Sequence, residues 1–117
     1  MKKSIIYLGL ALALSVNAMA SNSTIFRGND PLCIAISKND NQTAKKIIEY
    51  GADVNERYNG MTPLMLAARY NNVEMIKVLL ENGAELSAKD ERGNTAVKYA
   101  ELSNATDALT YLKSIKK

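Results

Sequence analysis

The sequence predicts an all-α solenoid of about three stacked helix–turn–helix repeats. Three observations carry this. Asp30-Pro31-Leu32, Thr62-Pro63-Leu64 and Thr95-Ala96-Val97 open successive copies, at steps of 32 and 33 residues. Gly51-Ala52-Asp53-Val54-Asn55 and Gly83-Ala84-Glu85-Leu86-Ser87 each begin 21 residues after the start of their copy. Within each copy, two short apolar stretches flank a small polar turn. A fixed period in this range marks stacked-repeat architectures, which build extended binding surfaces and seldom carry a reaction.

The first twenty residues are set apart from the repeats. Lys2 and Lys3 form a basic start, Ile5 to Val16 an apolar run, and Ala18-Met19-Ala20 a small-x-small site. This pattern predicts a signal peptide over residues 1–20, cleaved after Ala20. The run of twelve residues is too short to cross a bilayer comfortably. The short leader looks bacterial and places the mature chain in the periplasm or outside the cell, with no membrane association after cleavage. The residue directly after the cleavage point is Ser21, not a cysteine that could carry a lipid. Residues 21–117 then form one small domain, with repeats at about 29–60, 61–93 and 94–117. Ile25 and Phe26, ahead of the first repeat, are candidates to fold over its helices.

In the middle copy, Pro63 suits the first turn of a helix and Thr62 its N-cap. Leu64, Ala67 and Ala68 share one face at i, i+3, i+4. Asn71-Asn72 reads as the turn that ends this helix, with both asparagines in left-handed geometry. Met75, Ile76, Leu79 and Leu80 stripe a second helix, and Gly83 stops it. In the last copy, residues 106–115 present Ala108, Leu109, Leu112 and Ile115 on one face with Tyr111 beside them. This helix closes the stack.

These residues resemble the ankyrin repeat. The middle copy reads TPLMLAA where that family has TPLHLAA, followed by the second-helix pattern ending in Gly83-Ala84. The next copy opens with Asp90-x-x-Gly93-x-Thr95. The resemblance implies a β-turn finger between repeats and a protein-binding module. The chain departs from the family at the histidine, which is Cys33, Met65 and Lys98 in the three copies. That histidine braces the finger by hydrogen bonding, so its loss implies looser fingers. The first finger, Glu56 to Gly60, is one residue shorter than the next. Thr43 and Lys46 stand at apolar positions of the first copy and Glu101 at the second alanine of the last, and Lys46, Lys98 and Glu101 read as the polar faces of capping repeats.

Carried over by position, the partner-binding candidates are Arg57, Tyr58, Asn59, Met61, Glu91, Arg92 and Asn94 on the fingers. Arg69 and Tyr70 join them from the concave face of the first helices, with Ser37, Lys38, Leu102 and Ser103 in equivalent places. Arginine and tyrosine combine contact area with directed hydrogen bonds and so anchor interfaces. Tyr58 and Tyr70 have a second reading, as covers for adjacent apolar ridges.

Composition narrows the chemistry. The chain has no histidine and one cysteine. Ser-His and Cys-His pairs are therefore excluded, and transition-metal sites lose their commonest ligand. No phosphate-binding glycine motif is present. Asp90 with Glu91, and Glu81 with Glu85, read as loop and cap residues. The sequence thus predicts no enzyme, no cofactor and no metal. Without Lys2 and Lys3, the 15 basic residues fall to 13 against 12 acidic, a net charge of +1. No basic stripe for nucleic acid is seen, and Lys113, Lys116 and Lys117 sit where a helix C-terminus favours cations. Cys33 cannot form an internal disulfide. It reads as half-buried filler, or as a redox-responsive thiol in an oxidising compartment.

The sequence therefore predicts an exported adaptor that binds a periplasmic protein partner, as a monomer or weak homodimer. The alternative is an accessory, inhibitor or redox-responsive stress protein that protects or restrains a periplasmic enzyme.

Overall fold

The computed structural model describes residues 30–115. The leader, Ile25, Phe26, Lys116 and Lys117 lie outside the described residues. Six helices follow in order: α1 (Pro31–Ser37), α2 (Asn41–Glu49), α3 (Pro63–Arg69), α4 (Val73–Glu81), α5 (Ala96–Leu102) and α6 (Thr106–Ile115). They pair as hairpins α1/α2, α3/α4 and α5/α6. The first helices stack in one layer, α1 on α3 on α5, and the second helices in another, α2 on α4 on α6. The predicted all-α repeat solenoid is the fold observed, and the described residues contain one isolated bridge, Tyr58 with Met61, but no extended strand.

Helix starts follow from the sequence. Asp30 and Asp40 accept from the backbone N–H groups of Leu32 and Thr43, at 2.9 and 3.1 Å. Thr62 accepts from Met65 at 3.2 Å, Asn72 from Met75 at 3.1 Å and Thr95 from Lys98 at 3.3 Å. Each satisfies an N–H that has no partner inside its helix, worth about 1 kcal/mol apiece. Ala105 precedes α6 and offers no side-chain acceptor. The acceptor comes instead from the preceding repeat, where Asn71 Oδ1 receives the Ala108 N–H at 2.8 Å.

Helix ends use left-handed residues. Asn39, Asn71 and Asn104 follow the first helices at φ 62°, 58° and 56°, and Gly51 and Gly83 follow the second at 99° and 97°. The sequence expectation for the Asn71-Asn72 pair needs a correction here. Only Asn71 is left-handed, whereas Asn72 has φ −97° and is the N-cap of α4. Asn72 is also only 7% exposed. Its Nδ2 donates to Asn39 Oδ1 at 3.0 Å and Asn41 Oδ1 at 2.8 Å. A buried amide costs free energy unless its hydrogen bonds are made, and here they tie the first repeat to the second.

The core lies between the two layers. Leu32, Ile36, Leu64, Met75, Ile76, Leu79 and Leu112 are all fully buried there. Removing a buried leucine such as Leu79 to alanine costs about 2–5 kcal/mol, from lost transfer energy and the cavity left behind. Leu80, Leu109, Tyr111 and Tyr58 pack half-buried against this core. At the C-terminal end of the stack, Lys98 and Glu101 face outward and pair at 3.8 Å, the polar closure expected of a terminal repeat. Further bonds cross between repeats on the surface. Lys45 pairs with Glu74, and Asn55 bridges the Gly83 carbonyl and the Glu85 N–H at 3.1 and 3.0 Å.

Candidate functional site

Two loops project beside the N-terminal ends of α3 and α5, and they are built differently. In the first, Tyr58 and Met61 exchange both backbone hydrogen bonds, at 2.8 and 3.1 Å. Asn59 and Gly60 lie between them, both at positive φ, 55° and 81°. Positive φ at both central residues is the signature of a two-residue type I′ turn, for which Asn-Gly is the preferred pair. In the second, the Asp90 N–H donates to the Asn94 carbonyl at 2.9 Å and the Gly93 N–H to the Asp90 carbonyl at 3.0 Å. Only Gly93 of its three loop residues has positive φ, 85°. This is a three-residue turn closed by a glycine bulge. The one-residue difference read from the sequence is thus a difference of turn type.

In place of the histidine's hydrogen bond, each finger carries bonds of its own. In the middle copy, Met65 Sδ accepts from the Thr62 N–H at 3.5 Å while Thr62 Oγ1 caps Met65 in return. The first finger is also held by Arg57, whose Nη1 donates to the Gly60 carbonyl at 3.1 Å. The second finger is organised by Asp90. Its Oδ1 accepts from the Arg92 and Asn94 N–H groups at 2.9 and 2.8 Å. Its Oδ2 accepts from Asn94 Nδ2 at 3.3 Å and from the Tyr99 hydroxyl at 2.5 Å. The Tyr99 bond, with the backbone donors, lowers the Asp90 carboxyl from 3.8 to about 2, because every one of them favours the anion. The same bond, with partial burial, raises the Tyr99 hydroxyl.

The sequence reading assigns Tyr99 no role, because it considers only the histidine position, Lys98 in this copy. A signal was present. The equivalents of Asp90 and Tyr99 one copy earlier are Arg57 and Leu66, so the acid and the phenol appear together in one repeat and are absent together in the other.

The predicted surface residues divide by role. Arg57, Asn59, Arg69, Tyr70, Glu91 and Arg92 are exposed. Tyr70, the C-cap of α3, is 46% exposed, and the Arg69 guanidinium lies over its ring at 5.9 Å. Tyr58 and Met61 are half-buried against the core, and Asn94 is half-buried within its own finger. The two tyrosine readings therefore split, with Tyr58 covering the core and Tyr70 facing outward. Asn59, Gly60 and Met61 of one finger and Asp90, Glu91 and Arg92 of the other line an open cleft, with Tyr99 at its base. Ser37, Lys38, Leu102 and Ser103 are exposed along the ends of the first helices, Leu102 to 63%.

A scan of family models then matches the chain to ankyrin repeats (3 copies) over residues 6–90 and 32–117. The chain belongs to the ankyrin-repeat family. The first and second helices of this ankyrin stack, and the fingers between its repeats, are the parts described above. Ankyrin repeats form protein-binding modules, and the chain is one. No curated protein matches it.

Cys33 needs a further correction. It is fully buried, at 0% exposure, where the sequence placed it half-buried. α1 is closed on one side by α2 and on another by α3. Burial, then the charge and hydrogen bond of Asp30, 3.6 Å from Sγ, push the thiol up, so it stays neutral. The thiolate is the reactive form, and this site disfavours it. Among the described residues, no group of three His, Cys, Asp or Glu side chains converges as metal ligands. No described helix is long and apolar enough to cross a membrane.

Proposed function

We propose that this ankyrin-repeat protein is an exported adaptor that holds a periplasmic protein partner between its two fingers and the exposed ends of its first helices. The observation that supports the surface is the cleft between the fingers. Its walls are fixed by hydrogen bonds, while Arg69, Tyr70 and Arg92 stand exposed beside it. A frame held by its own hydrogen bonds has little backbone entropy to lose on binding, and arginine and tyrosine are favoured anchors of interfaces. The mechanism is equilibrium recognition by a monomer or weak homodimer, with no reaction and no cofactor.

Export rests on the leader pattern of residues 1–20 and is tested by sequencing the N-terminus of secreted material, which should begin at Ser21. Recognition is tested by crosslinking and capture from a periplasmic extract. Alanine at Tyr70 and Arg92 should abolish capture while helical circular dichroism and melting temperature stay at wild-type values. Capture that survives both changes removes this surface from the reading. The accessory or inhibitor alternative would use the same surface, and the fully buried Cys33 lends no support to its redox form.

A further inference from the structure

The pair that braces the second finger has a counterpart in every repeat. Tyr99 follows Asp90 by nine residues, Leu66 follows Arg57 by nine, and Ile34 follows Ile25 by nine. The first member of each pair stands five residues before the N-cap of its first helix, which is Thr95, Thr62 or Asp30. In the last repeat both members are polar, and the Tyr99 hydroxyl donates to Asp90 Oδ2. In the first repeat both are isoleucine, so this pair is apolar on both sides where the other is polar on both.

The tip of the finger recurs as well. Phe26-Arg27-Gly28-Asn29 reads against Glu91-Arg92-Gly93-Asn94, with the glycine in the same place. Gly93 has φ 85° and closes the three-residue turn, a conformation that glycine adopts without steric cost. Residues 25–29 thus have the length and the glycine of the second finger. They lead into α1 through the side-chain cap of Asp30, as the second finger leads into α5 through Thr95. On the described side, Ile34 is half-buried, whereas its match Leu66 is 5% exposed. Covering Ile34 with a second isoleucine removes apolar surface from water, which is favourable.

We propose that residues 25–29 form a third finger, turned at Gly28, in which Ile25 seats on Ile34 as Asp90 meets Tyr99. Ile25 then faces inward, and Phe26, in the place of the exposed Glu91, faces outward. Ile25 has no carboxylate to gather the N–H groups of the tip, as Asp90 does for Arg92 and Asn94. Packing on Ile34 therefore takes over that task. The third finger sets an aromatic side chain at the first repeat, on the edge that carries the other two fingers. The finger stands independently of the adaptor reading, and only the use of Phe26 in binding rests on it.

The test is NMR on the purified chain with labelled isoleucine methyl groups. A cross-peak between the Ile25 and Ile34 methyls is expected, and it should stay within one molecule when labelled and unlabelled chains are mixed. The Ile25 amide, donating to the Asn29 carbonyl, should exchange with solvent roughly tenfold more slowly than in urea. Gly28→Ala, strained at positive φ, should remove that protection while the amides of α3 and α4 keep theirs. Phe26→Trp adds a single reporter to a chain without tryptophan, and acrylamide should quench it as fully in the native protein as in urea. Absence of the cross-peak, a cross-peak between two molecules, or an Ile25 amide as fast as in urea overturns the third finger. A native Phe26→Trp shielded from acrylamide overturns the outward placing of Phe26. Failure here is separable from failure of the adaptor reading. An absent cross-peak leaves the surface of the other two fingers untouched, and capture unchanged by Phe26→Ala with the cross-peak present removes only the use of Phe26 in binding.

Discussion

Asn71 caps a helix that starts one repeat further on, its Oδ1 accepting the Ala108 N–H at 2.8 Å. Its own backbone, at φ 58°, meanwhile ends α3. One residue thus closes a helix and opens another, and the two uses can be separated by substitution. Asn71→Gly keeps the left-handed backbone and removes the acceptor, costing about 1 kcal/mol. Asn71→Ala also forces an ordinary side chain into left-handed geometry, costing about 1–2 kcal/mol more. Thermal melts should rank wild type above Asn71→Gly above Asn71→Ala. Equal melting of wild type and glycine variant would remove the capping role.

Asn72 makes a sharper case because its amide is buried. Asn72→Asp keeps an N-cap acceptor for the Met75 N–H but sets carboxylate oxygens against the Asn39 and Asn41 oxygens that now accept from Nδ2. Good capping should not rescue it, and urea unfolding should show a loss of about 2 kcal/mol or more. A loss no greater than that of an exposed asparagine would show that the cross-repeat amide bonds add nothing.

The second finger should depend on pH through Asp90. Its carboxyl is lower in the folded chain, about 2, than its ordinary 3.8. The unfolded chain thus takes up a proton first as pH falls. The contribution of Asp90 is fully present above about pH 4 and disappears as pH falls towards 2. Tyr99→Phe removes the largest cause of the depression. The Asn94 amide resonance, which reports the Asp90 bond, should therefore titrate at a higher pH in Tyr99→Phe than in wild type. An unmoved midpoint would show that the phenol does not set the carboxyl.

Cys33 should behave as filler. Its thiol is neutral, enclosed at 0% exposure and beside the Asp30 carboxylate. Ellman's reagent should label it slowly in the native protein, at the rate set by opening of the stack, and at once in urea. A non-reducing gel after mild oxidant should show no dimer. Rapid native labelling, or an oxidant-dependent dimer lost in Cys33→Ser, would restore the redox reading.

The repeat frame was legible because it is local. Thr62-Pro63, the Leu64, Ala67, Ala68 face and the Gly83 stop each lie within one or two turns of chain, and all stand in the structure as read. The corrections share a different cause. The Asn71–Ala108, Asn72–Asn39 and Asp90–Tyr99 bonds join residues that only stacking or the turn of a finger brings together. Cys33 followed the same rule, since its burial depends on α3 settling against α1. The finger candidates were placed on the surface by register, yet register alone did not say that Tyr58 would turn inward and Tyr70 outward. That depends on the Asn59-Gly60 turn, which makes the Tyr58–Met61 segment a hairpin.

The two turn types have one more consequence. Identical repeats offer a ligand two almost equivalent seats, one repeat apart, and a partner could slip between them. A two-residue tip beside a three-residue tip makes the seats unequal, so a ligand shaped for one is mismatched by a whole residue in the other. If the partner seats on the fingers as proposed, the step between them would act as a key for alignment, excluding the shifted pose by shape.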